Sequence, residues 1–106
     1  MTTKNQIRDK NDFLRKLLPN LPPPHKVVFS EWAAKHHPSV IFELIRKIRD
    51  YKEFTPENDP YKEHDFGTVQ VGETEFFWKI DYTDETYEHF KTDGIRVFTI
   101  MEASEW

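Results

Sequence analysis

The hydrophobic period of this chain changes after the turn-rich stretch Thr55 to Tyr61, and that change restricts it to a mixed fold. Before it, apolar residues recur at helical spacing. After it, Phe76, Trp78, Ile80 and Tyr82 alternate onto one side of a strand, with Phe77, Lys79 and Asp81 on the other. A helix stripe and a strand face each need a partner to bury against, so the two halves are expected to pack on one another.

The elements can be placed one by one. Residues 4–18 put Ile7, Leu14 and Leu18 near one face, with Phe13 and Leu17 beside them, in an amphipathic helix that Pro19 stops. Pro19, Pro22, Pro23 and Pro24 impose an extended connector over 19–25. Lys26 to Phe29 reads as a short strand. Ser30 caps a short helix reaching about Lys35, with His36 and His37 at its C-terminal end. From Pro38, the residues Val40, Ile41, Leu44, Ile45 and Ile48 form one buried stripe, and Glu43 and Lys47 are spaced for an exposed ion pair. Thr68 to Val71 leads through Gly72 into the strand Glu75–Tyr82 as a hairpin. The polar run Thr83 to Lys91 is read as a helical turn. Ile95 to Met101 is apolar on both faces and is therefore placed centrally in the sheet.

The expected fold is α+β, a three- to four-stranded antiparallel sheet packed against two to three N-terminal helices. With 106 residues there is room for one core, so 1–106 is read as a single domain with 26–106 as its α+β core. Hydrophobic residues are only 37%, but nine Phe, four Tyr and three Trp are large, each worth roughly 2–3 kcal/mol when buried. The absence of cysteine removes disulfides, thiolate metal sites and thiol catalysis. No apolar run reaches a bilayer-spanning length of roughly 20 residues, and the first residues do not read as a signal peptide. A cytoplasmic location is expected.

Three blocks then carry a resemblance. NDPYKEHDFG (58–67), FFWKIDY (76–82) and RVFTIMEASEW (96–106) resemble a family of small bacterial proteins of unknown function, associated with mobile elements, that shows NDPY-x-EHDFG, KIDYYD and RVLTIMLA-x-EY blocks. Asn11-Asp12-Phe13 and the Val27 strand match more weakly. Thr83 departs from the second Tyr of the family's block, Glu102 from an apolar residue and Trp106 from a terminal Tyr. The resemblance implies a shared fold and brings no activity. Its mobile-element context implies a role against host defence or in element maintenance.

Several residues have chemistry to offer. Asp59, His64 and Asp65, with Glu63 between them, can be read as a general-base or metal-binding set for a small hydrolase or nuclease. The same residues also suit local structure: Asn58 and Asp59 as turn formers, a His64–Asp65 pair fixing the start of a strand, and Gly67 supplying an unusual backbone angle. The Pro-Asp…(Asp/Glu)-x-Lys nuclease pattern fails, because Phe77 stands two residues before Lys79. Lys79, Asp81 and Arg96 can form a polar cluster across neighbouring strands. The aromatic row Phe76, Trp78, Tyr82 suits core packing better than base stacking, since acidic residues surround it.

Charge is distributed unevenly. Residues 1–54 carry eleven Lys/Arg against six Asp/Glu, and residues 55–106 carry four against thirteen, giving +5 and −9. An acidic surface disfavours nucleic acid and favours basic partners. The leading expectation is a non-enzymatic interaction protein of mobile-element type, requiring no cofactor or metal. It would inhibit a host defence effector, anti-CRISPR or anti-restriction in kind, by occupying a basic surface on a protein or protein–nucleic-acid complex. Glu73, Glu75, Asp84, Glu85, Glu88 and Asp93 are the contact residues this reading selects. The alternatives are the hydrolase above and a dimeric structural or regulatory module, with Trp106 or the last strand at the subunit contact. No direct nucleic-acid or membrane binding is expected.

Overall fold

Three helices and four strands follow one another in the described residues, 4–105 of the computed structural model. They are α1 (Lys4–Arg15), β1 (Lys26–Phe29), α2 (Glu31–Ala34), α3 (Pro38–Arg49), β2 (Phe66–Val71), β3 (Thr74–Thr83) and β4 (Ile95–Glu102), closed by the 3-10 turn Ala103–Glu105. The class is α+β, as the change of period requires. Trp106, expected at a subunit contact, lies outside the described residues.

The sheet order is β1-β4-β3-β2, which places β4 inside the sheet. β2 and β3 form a hairpin whose register, Val71 opposite Thr74, leaves Gly72 and Glu73 as the two-residue loop, with Gly72 at φ 60°. β3 and β4 are also antiparallel. β1, however, lies parallel to β4, Val27 beside Phe98 and Phe29 beside Ile100, so the sheet is mixed and not antiparallel throughout. The reason is topological. After β1 the chain passes through α2 and then α3, a 12-residue helix about 18 Å long, before β2 starts at the far edge. The two later reversals then bring β4 alongside β1 in the same direction.

The register decides which side chains meet. Phe76, Trp78 and Ile80 of β3, Phe98 and Ile100 of β4, and Val69 of β2 pack with Leu44, Ile45 and Ile48 of α3, with Ala33, and with Leu14 and Leu18 from α1 and the turn after it. Trp78 is fully buried, which assigns the aromatic row to the core. Local signals are met with some changes. Ser30 accepts from the Ala33 amide at 3.3 Å, as expected of a cap. His37 instead caps the start of α3, accepting from the Ser39 amide at 3.1 Å, while His36 reaches Glu102 at 3.2 Å and meets the Phe76 ring edge-on. Glu43 pairs with Arg46, and Lys47 turns to the Gln70 carbonyl at 2.6 Å, so the expected Glu43–Lys47 pair does not form. Residues 84–94 hold turns rather than a helical turn, with Tyr87 and Asp93 in the left-handed region and a bridge from Thr83 to Phe90.

Gly67 is explained by crowding, not by its backbone angle, because the positive-φ glycine of the chain is Gly72. A Cβ on Gly67 would stand 2.6 Å from Trp78 Nε1 and 2.7 Å from the Tyr51 ring. No helix of the described residues is long and apolar enough to cross a membrane. Gly67→Ala is expected to destabilise the protein by about 1–3 kcal/mol through overpacking, read as a lower midpoint in urea unfolding. An unchanged midpoint would mean that Tyr51 and Trp78 do not close on this position.

Candidate functional site

The segment between α3 and β2 folds around two acidic-amide side chains. Asn58 Oδ1 accepts from the Thr55 amide at 2.9 Å, and its Nδ2 donates to the Glu53 carbonyl at 2.8 Å. Asp59, buried, accepts from the amides of Glu63 and His64, both at 3.1 Å. Those bonds hold a turn in which Lys62 and His64 sit in the left-handed region at φ 56°, a conformation costing side-chain-bearing residues about 1–3 kcal/mol each. Asp65 then delivers the chain to the sheet, its carbonyl accepting from the Ile80 amide at 2.8 Å.

The turn brings His64 between two carboxylates. Its Nδ1 is 2.9 Å from Asp12 Oδ1 on α1, and its Nε2 is 3.6 Å from Asp59 Oδ2. The ring stacks flat on Phe54, with centroids 3.8 Å apart and planes 1° from parallel. Asp12 also pairs with Arg15 at 2.8 Å, and the Arg15 guanidinium lies over both the Phe54 and Trp78 rings. Of the sequence-selected trio, Asp59 and His64 are therefore neighbours, while Asp65 faces another way. Asp12 stands where Asp65 was expected, because left-handed backbone at His64 turns successive side chains apart. With both ring nitrogens facing carboxylates, His64 is fitted to anchor this turn to α1. Among the described residues no group of three or more His, Asp or Glu is placed to hold a metal ion.

A second cluster lies directly behind. Asn11, fully buried, donates through Nδ2 to the Glu63 carbonyl and to the Tyr82 hydroxyl, both at 2.9 Å. Its Oδ1 accepts from Arg96 Nε at 2.9 Å. Every polar atom of this amide is used. Tyr82 donates onward to Glu63 Oε1 at 2.9 Å, with Asp65 Oδ2 at 3.4 Å. Burial, followed by the charge of Asp65, pushes the Tyr82 phenol far above its ordinary range, so it stays a proton donor. Arg96 is fully buried, with the Gly94 carbonyl, Asp93 and the Tyr82 ring as its other contacts. It lies on the covered face opposite Tyr82, whereas Lys79 and Asp81 pair with each other at 3.2 Å on the other face, so the three do not form one cluster.

Sequence reading missed Asn11, Asp12 and Arg15 as site residues. Asn11 and Arg15 share the helix stripe of Ile7, Leu14 and Leu18, and polar residues inside an apolar stripe were the available signal. The six selected acidic residues divide between two places. Glu73 and Glu75 sit at the hairpin end of β3, and Asp84, Glu85, Glu88 and Asp93 at its other end, about 30 Å away at ~3.3 Å per residue.

Asp65 gives this site a measurable pH dependence. Burial, then the carboxylates of Glu63 and Asp59, raise its pKa. The folded chain thus keeps that proton to higher pH than the unfolded chain, and stability falls as pH rises from the ordinary carboxylate range through the raised value. Asp65→Asn is expected to raise the thermal midpoint at about pH 7 and to leave it unchanged at about pH 3, where both side chains are neutral. A lower midpoint for the variant at about pH 7 would contradict this origin of the shift.

Two comparisons with known proteins return nothing: no curated protein and no solved structure matches the chain. A family described as a protein of unknown function (DUF3768) matches residues 31–105, from the start of α2 through β4 and the closing 3-10 turn, and includes the Asp59–His64 turn. The chain belongs to this family.

Proposed function

We propose that this protein is a non-enzymatic interaction module that presents the acidic connection between β3 and β4 to a basic surface on a partner. The observation that carries this reading is Phe90, 76% exposed, on a connection that also displays Glu85 and Glu88. An exposed aromatic on a connection with more carboxylates than cations supplies both an anchor and the charge complementarity that steers a basic partner.

The connection is held in shape before any partner arrives. Asp84 accepts from the Thr86 amide at 2.9 Å and faces His89 Nδ1 at 3.3 Å. Tyr87 donates to the Pro24 carbonyl at 2.9 Å, and Lys26 Nζ stands 4.1 Å from the Tyr87 ring centre. Phe90 leans towards Tyr82, with ring centroids 6.5 Å apart. Ordering of this kind lowers the entropic cost of association. Glu85, Glu88 and Phe90 form the contact in this reading, with Asp84 and Asp93 shaping it. Glu73 and Glu75, at the other end of β3, lie beyond one small interface.

The partner we propose is a host defence effector of the anti-CRISPR or anti-restriction kind, bound through a basic, nucleic-acid-handling surface. Resemblance to mobile-element proteins supports that choice. The test is binding to purified effector complexes, with retained thermal midpoints as the fold control. Phe90→Ala and Glu85→Lys/Glu88→Lys are each expected to weaken binding by about tenfold or more, and added salt to weaken it in the parent. Full-strength binding by both variants would overturn the assignment.

A further inference from the structure

We propose that the cleft between the C-terminal ends of α1 and α3 binds a small phosphate-bearing anion. This site uses different residues from the acidic connection and does not depend on its role. The cleft has a volume of about 620 Å³, within the usual range for small-molecule sites, and is lined by Arg15, Lys16, Arg49, Lys52, Phe54 and His64.

Its charge is out of balance. Four permanent cations line it against two carboxylates, Asp12 and Asp50. Asp12 is already shared between Arg15 and His64, and Asp50 is drawn to Arg46 at 3.8 Å. Helix C-termini attract cations, which accounts for part of this set. Arg15 donates to the Tyr51 carbonyl at 3.4 Å and Arg49 to the Leu18 carbonyl at 3.5 Å, so the carbonyl ends here already have donors. Lys16 and Lys52 are exposed on the rim, and neither has a carboxylate or carbonyl partner among the described residues.

One of those four cations forms the floor. Arg15 is only 4% exposed, and its Nε is buried with no hydrogen-bond partner. Its guanidinium lies over the Phe54 and Trp78 rings and pairs with Asp12, so this cation sits at the bottom of the cleft in low-dielectric surroundings. Two mobile ammonium groups at the rim, a guanidinium on the wall and another beneath suit a compact multiply charged anion. Phosphate concentrates its charge on one tetrahedral centre, which ammonium groups meet as point charges and guanidinium as paired donors.

The experiment is an amide-resolved NMR titration of the intact chain with inorganic pyrophosphate, and in parallel with ADP and with citrate, at fixed ionic strength. Saturable shifts around residues 15–18, 49–54 and 64 are expected with pyrophosphate or ADP, both tighter than citrate. Tighter ADP would assign a nucleotide, and tighter pyrophosphate a free phosphate cluster; either supports the site. Lys16→Glu/Lys52→Glu, two exposed changes, should keep the thermal midpoint and weaken binding by about tenfold or more. Absence of saturable shifts, equal binding by that variant, or citrate binding as tightly as the phosphates would overturn the proposal.

Discussion

A buried guanidinium must find its hydrogen bonds where water does not reach, and for Arg96 the one that comes from furthest along the chain is that of Asn11, 85 positions away. Arg96 sits on β4 in the middle of the sheet, and its own amide donates to His25 Nδ1 at 2.9 Å. Burial, then the charges of Lys10 and Arg96, lower the His25 pKa, which keeps that nitrogen free to accept. Asn11 answers Arg96 with its oxygen and uses both hydrogens to hold the Glu63 carbonyl and Tyr82. One amide therefore joins α1, the turn before β2, β3 and β4. Removing it would leave buried donors and acceptors unmatched, at roughly 1–3 kcal/mol for each group.

The chemistry of the Asn58–Gly67 segment follows from that arrangement. Asp59 stabilises the backbone at Lys62 and His64, His64 fastens the turn to Asp12, and Glu63 and Asp65 meet Tyr82. Gly67 lets Tyr51 and Trp78 close over β2. Of the trio that suggests a hydrolytic set, His64 alone reaches α1, while Asp59 holds the turn and Asp65 meets Tyr82. The two sites proposed above lie apart from one another: the connection that carries the exposed Phe90, and the cleft at the helix ends, which His64 helps to line.

Much of the fold was legible in the sequence, for physical reasons that differ by element. The α3 stripe, the Gly72 hairpin and the central place of β4 follow from local period and from apolar character on both faces of a strand. The parallel pairing of β1 was not legible, because it depends on where α3 returns the chain, and no local pattern encodes that. Arg96 could not be assigned a face from sequence, since its opposition to Tyr82 rather than Asp81 is a matter of register between distant strands. The candidate site was half legible. Asp59 and His64 were selected, but Asn11 and Arg15, which the helix turns inward, and Asp12 beside them were not.

If the Asn11–Arg96 contact secures α1 to the sheet, the two residues must be energetically coupled. A double-mutant cycle of Asn11→Ala, Arg96→Met and the double variant, measured by urea unfolding, tests this directly. The coupling expected is about 2 kcal/mol, at the upper end for residues sharing a buried network. Effects that add to within about 0.5 kcal/mol would show that the two side chains act independently, and that α1 is held by its apolar contacts alone.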